Sequence, residues 1–145
     1  MSDDTPDEPT TRPEITLALA RGISRMLIDL GLTPLLELPL GNGRRADIVG
    51  LAPGGELWIV ETKSCLADFA VDQKWPDYLD YCDRFFFGVT EDFPRELIPD
   101  ECGLIVADSF GGAVLRDSPL RPLAGARRKA MTLSYARLAA LRAIA

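Results

Sequence analysis

Residues 45–63 read RADIVGLAPGGELWIVETK, and how this stretch folds on itself decides the architecture. Two apolar runs, Ala46 to Ala52 and Leu57 to Thr62, flank Pro53-Gly54-Gly55, a strong hairpin signal. Opposite residues of an antiparallel hairpin project to the same face. A three-residue loop at Pro53-Gly54-Gly55 sets Ala52 against Glu56 and Asp47 against Glu61. A two-residue turn on Gly54-Gly55 sets Asp47 against Thr62 and sends Glu61 to the other face. The two carboxylates meet only across the odd loop. Lys63, two residues after Glu61, shares its face in either register.

Upstream, Leu35 to Leu40 is a short apolar run bounded by Pro34 and by Gly41-Asn42-Gly43, so a first strand precedes the hairpin and completes a three-stranded meander. Before it, Thr11-Arg12-Pro13-Glu14 is a capping box with proline in the first turn. Ile15, Ala18, Leu19, Gly22, Ile23, Met26, Leu27 and Leu30 recur at helical spacing until Gly31. Residues 1–10, acidic and proline-rich, read as a disordered tail, and residues 11–145 as one domain.

Downstream, Trp75-Pro76 interrupts a helical pattern, because the residue before proline avoids the α region. A helix is expected from Pro76 to about Asp83, preceded by a turn or short helix from Asp68. Arg84 to Thr90, containing Phe85-Phe86-Phe87, and Gly103 to Ala107 are continuous apolar runs typical of strands covered on both faces. Ala113 to Arg116 adds a sixth strand after Gly111-Gly112. Leu123 to Ala145, rich in alanine, leucine and arginine, is a basic C-terminal helix. The order predicts an α/β fold, a mixed sheet flanked by helices.

The 145 residues contain no histidine, which removes the commonest general base and every His-ligated metal site. Chemistry must run on carboxylates, lysine and metal. Cys65, Cys82 and Cys102 are odd in number and lie in apolar stretches, so they read as buried free thiols. No segment reaches the roughly 20 apolar residues needed to span a bilayer, so no membrane association is expected. A reducing, cytoplasmic location follows, with association with the nucleoid included. The net charge of −6 opposes nucleic acid, but acids crowd the first eight positions while Arg121 to Ala145 carries only bases.

Asp47 and Glu61 offer oxygen ligands of the kind that suit Mg²⁺ or Mn²⁺, and Lys63 beside them can hold or activate a water. The chemistry suggested is metal-assisted phosphodiester hydrolysis. Glu61 with Lys63 equally fits a solvated same-face ion pair, and spacing alone does not choose. Glu14 is explained by its capping box, though it also fits an outer contact to metal-bound water. Arg44 and Arg45 suit phosphates, and Gln73, Lys74, Trp75 and Tyr78 suit backbone or base contacts. The two rings fit a core role as well.

Glu14, Asp47 and Glu61-Thr62-Lys63 resemble the signature of the PD-(D/E)xK nuclease superfamily. More closely, residues 45–50, 59–64 and the Lys-Trp-Pro-Asp-Tyr segment within 72–85 resemble the MmcB family of DNA-repair-related proteins. The resemblance implies a restriction-endonuclease-like sheet, with helix, three-stranded meander, helix and strands. It also implies Mg²⁺ or Mn²⁺ on Asp47 and Glu61, Lys63 at the attacking water and Glu14 further out. Ala46 stands where the superfamily's motif has proline, a position that supplies no ligand.

Two functions are consistent with this: a metal-dependent endonuclease-like protein acting on DNA in repair, or a non-catalytic adaptor of the same fold that binds DNA or a repair-protein partner. A small-molecule α/β enzyme is disfavoured, since no glycine-rich phosphate loop opens a helix.

Overall fold

The computed structural model describes residues 11–71 and 74–145; the expected tail at 1–10 and Gln73 lie outside them. Helix α1 (Arg12–Asp29) starts where the capping box predicts, with Thr11 Oγ1 accepting the Glu14 amide at 3.3 Å. It ends on Gly31, whose φ of +91° suits glycine, while the Leu32 amide returns to the Leu27 carbonyl at 2.8 Å.

Strands β1 (Thr33–Pro39), β2 (Arg45–Leu51) and β3 (Leu57–Lys63) form the antiparallel meander. Strands β4 (Arg84–Val89) and β5 (Gly103–Ala107) continue parallel to β3, and β6 (Gly112–Arg116) returns antiparallel. Among the described residues these six make one mixed sheet in chain order. The register of β2 on β3 is the odd-loop one. Ala52 donates to the Glu56 carbonyl at 2.9 Å, Gly55 takes φ +97°, and Ile48 stands opposite Val60.

Three boundaries differ from expectation for physical reasons. Pro34 lies inside β1, because an edge strand can turn a missing N–H away from the ladder. The short helix expected from Asp68 is present as α2 (Leu66–Val71), starting two residues earlier, but the helix expected from Pro76 to about Asp83 is a 3₁₀ segment, Trp75–Tyr81. Pro76 in its first turn and extended Cys82 leading into β4 leave room only for tight turns, such as the Asp77 amide to the Lys74 carbonyl at 3.0 Å. The C-terminal helix α3 (Gly125–Ile144) begins two residues later than Leu123, whose amide is held elsewhere.

Two apolar layers cover the sheet. On one face Leu19, Ile23 and Leu27 of α1 pack on Ile48, Val60, Phe86 and Ile105. On the other, Tyr78, Tyr81, Met131 and Tyr135 pack on Val49, Ile59, Phe85 and Phe87. The three consecutive phenylalanines thus alternate between layers, which is what a continuous apolar run in a doubly covered strand means. Helix α3 also reaches the outer strand: the Tyr135 hydroxyl donates to the Thr33 carbonyl at 2.7 Å, and the Arg142 guanidinium donates to the Leu36 and Glu37 carbonyls. Cys82 and Cys102 are buried thiols as expected, burial pushing Cys102 up to about 12, whereas Cys65 is half-buried.

Asp83 ties these layers together. Only 2% exposed, its carboxylate accepts the Leu57 amide at 2.7 Å, the Leu123 amide at 2.9 Å and both terminal nitrogens of Arg128. Burial alone raises a carboxyl pKa, but Arg128 and the two amides outweigh it and hold Asp83 below the ordinary carboxylate value. One side chain therefore fastens the start of β3, the approach to α3 and α3 itself.

Candidate metal and nucleic-acid site

The β2–β3 ladder runs from the glycine loop to Ile48 and Val60, then gives way to side chains. The Asp47 amide donates to Glu61 Oε2 at 3.0 Å, and the Thr62 amide and Oγ1 donate to Asp47 Oδ2 at 2.9 and 3.1 Å. Each acid thus satisfies the backbone of the strand opposite, which brings Asp47 and Glu61 to one point of the sheet. Lys63 follows at the end of β3, half-buried and level with Val89 of β4.

Glu61 is the unusual member. It is 3% exposed, and its Oε1 is buried with no hydrogen-bond partner among the described residues. Burial, with the Asp47 carboxyl adding to it, pushes the Glu61 pKa up to about 10, against a smaller opposing pull from the Tyr78 hydroxyl and the Asp47 amide. The acid is therefore neutral at pH 7 unless a cation arrives. A raised folded pKa gives a contribution that is complete below the unfolded value near 4.5 and is lost as pH rises toward 10. Glu61→Gln keeps the shape and an acceptor for the Asp47 amide without the ionisation. Without divalent ions, urea midpoints of wild type and variant should coincide near pH 4.5, and the variant should be more stable by on the order of 3 kcal/mol at pH 7. Equal midpoints at both pH values would mean that Glu61 is ionised in the fold.

The other predicted residues are distributed around this pair. Glu14 sits in the first turn of α1. Arg44 pairs with Asp77 at 3.3 Å, which with Asn42 fastens the β1–β2 turn to the 3₁₀ segment; exposed Arg45 approaches Glu37 at 4.0 Å. Lys74 caps that segment, and half-buried Trp75 and buried Tyr78 stack on Phe85 at 6.1 and 5.8 Å between ring centres. Their rings belong to the core layer. Of the C-terminal bases, Arg128 serves Asp83, Arg142 serves β1, and Arg127 lies 4.2 Å over the Tyr81 ring.

One neighbour escaped the sequence reading. Glu37 falls opposite Asp47 across β1 and β2, where the ladder skips a pair, and takes φ +54°, a left-handed conformation costly for a side chain. With Arg12, Asp47 and Thr62 it lines a groove of about 440 Å³ under the start of α1. Pairing arithmetic extended across the first turn would have found it. Among the described residues no three Asp, Glu or Cys converge on one point, so a cation here would have only the two carboxylates of Asp47 and Glu61, a number that would suit Mg²⁺ because that ion keeps several waters.

Fold and site together define a mixed α/β protein with a paired-carboxylate site at one end of its sheet. A family model described as DNA repair protein MmcB-like matches residues 3–145, and the chain belongs to the MmcB-like family. It is similar to a solved structure, the SPO1766 protein of unknown function from Silicibacter pomeroyi, with 45% identity and a TM-score of 0.83 over 86% of this chain and 85% of that one. No curated protein matches the sequence. No described helix is long and apolar enough to cross a membrane.

Proposed function

We propose that this protein is a Mg²⁺- or Mn²⁺-dependent endonuclease-like protein acting on DNA in repair, with the restriction-endonuclease-like arrangement of the PD-(D/E)xK superfamily. The observation that carries the reading is Glu61, a buried acid with an unpartnered oxygen beside a second carboxylate. Left without a cation it costs stability, and a cation held by Asp47 and Glu61 offsets that cost. A bound divalent ion supplies charge stabilisation at the scissile phosphate and lowers the pKa of water. The chain's own residues do the rest: Lys63 positions the nucleophile beside the pair, Glu14 stands as an outer contact, and Arg44 and Arg45 hold the DNA backbone. The neutral Glu61 must lose its proton when the cation enters, so binding is tighter as pH rises.

A second reading, a DNA- or partner-binding repair adaptor, draws support from the bonds that Asp47 and Glu61 make to opposing backbone amides, since these give both acids a structural task. Cleavage separates the two. Single-stranded, duplex, branched and damaged DNA, and RNA, are incubated with the protein and Mg²⁺ or Mn²⁺, with chelator as control. Divalent-dependent scission of a DNA form is the expected result; intact substrates throughout, with DNA still bound, would leave the adaptor.

A further inference from the structure

Strands β3, β4 and β5 are parallel, and their carboxyl ends open onto a cleft of about 870 Å³ between α1 and the β5–β6 hairpin. Crevices outside the carboxyl ends of parallel strands are where open sheets hold ligands. Ser64, the residue after Lys63, lines this one, so the cleft begins where the candidate site ends.

Its outer wall is built around one aromatic. Phe110, at the hairpin tip, is 71% exposed and lines the cleft. A ring so placed costs solubility without stabilising the core, but it is not loosely held. Asp108 Oδ1 accepts the Phe110 amide at 2.8 Å and the Gly111 amide at 3.1 Å, and the Asp108 amide donates to the Gly111 carbonyl at 2.9 Å. The hairpin is pressed in turn against α1: a Cβ on Gly22 would stand 1.6 Å from the Asp108 carbonyl oxygen, an approach that only glycine allows. The backbone that carries Phe110 is therefore fixed, and its ring projects exposed from the hairpin tip.

Charge identifies what lies against it. Glu91, Asp92 and Asp108 outnumber Arg95 around the cleft, so a phosphate chain is repelled from its interior. A nucleobase is neutral, has a face to stack on Phe110, and carries amino and imino donors that suit Ser64, Thr90 and the acids. A base enters such a cleft only when it is neither paired nor stacked within a duplex.

On this basis, and resting on the DNA-acting reading above, the geometry points to a base-stacking site at Phe110 for an unpaired nucleotide. The substrate class is then DNA with single-stranded character, its backbone outside at Lys63 and its base in the cleft.

The test measures binding of a fluorescein-labelled single-stranded oligonucleotide, and of the same sequence as a blunt duplex, in EDTA so that nothing is cleaved. Phe110→Ala should weaken single-strand binding at least about fivefold while duplex affinity changes less than twofold, and Phe110→Trp should retain wild-type affinity. Because Phe110 is exposed, unchanged thermal melting of both variants is expected. Phe110→Ala that binds the single strand like wild type, or loses both oligonucleotides equally, overturns the inference and leaves the functional reading standing. Wild-type protein that binds neither oligonucleotide overturns the inference, while the functional reading stands or falls on divalent-dependent cleavage.

Discussion

Removing any member of the set Asp47, Glu61 and Lys63 is expected to lower divalent-dependent DNA cleavage by at least about a thousandfold, because residues that act as a unit fail together. DNA affinity should change no more than a few-fold, since the proposed phosphate contacts are made by Arg44 and Arg45 and not by this set. The choice of variant matters. Asp47→Ala strips the acceptor from the Thr62 amide and hydroxyl, which costs about 1–3 kcal/mol for reasons unrelated to catalysis. Asp47→Asn keeps an acceptor, Glu61→Gln keeps the bond from the Asp47 amide, and Lys63→Met keeps the apolar stem. Cleavage kinetics and anisotropy on these three separate chemistry from folding. A triple variant that still complements a repair defect in cells would assign the protein to the adaptor class.

The second large effect lies far from that chemistry. Asp83→Ala is expected to destabilise the fold by about 3–5 kcal/mol, since it leaves Arg128 and two amides without their shared buried acceptor. The melting temperature should fall by roughly 6–20 °C. The pH dependence has a definite sign. Asp83 is depressed in the fold, so its contribution is present above the unfolded carboxyl value near 3.9 and disappears as pH falls through the lower folded value. Wild type and Asp83→Ala should therefore converge in urea midpoint on acidification below pH 4. A loss under about 1 kcal/mol at pH 7 would mean that the loop before α3 docks without Asp83.

Glycine placement made the central register legible. Pro53-Gly54-Gly55 allows two loops, and the structure adopts the three-residue one, whose ladder ends at Ile48 and Val60 just before Asp47 and Glu61. Helix α1 was legible from its cap and its glycine stop, and β4 from its unbroken apolar run. What the chain hid are interactions between distant segments. Asp83 bonds to partners 26, 40 and 45 residues away, and no local pattern distinguishes it from a solvated acid. The same holds for Trp75 and Tyr78, whose stacking on Phe85 depends on how α2 and the 3₁₀ segment cross the sheet. Two arginines that read as a basic surface also fasten the chain to itself, half-buried Arg128 at Asp83 and exposed Arg142 at β1. The place of Glu37 opposite Asp47 was open to the same pairing arithmetic, but its left-handed backbone was not, since it contradicts local preference and is imposed by the surrounding structure.

The contacts from α3 to β1 also bear on how molecules of this protein meet. An outer strand with open carbonyls is a template on which a second chain can add a strand, the first step toward swapped dimers or fibrils. Here Tyr135 and Arg142 occupy the carbonyls of Thr33, Leu36 and Glu37. The last helix thus acts as a guard against self-association, and a chain shortened just before Arg142 would expose part of this border while keeping Met131 and Tyr135 in the core.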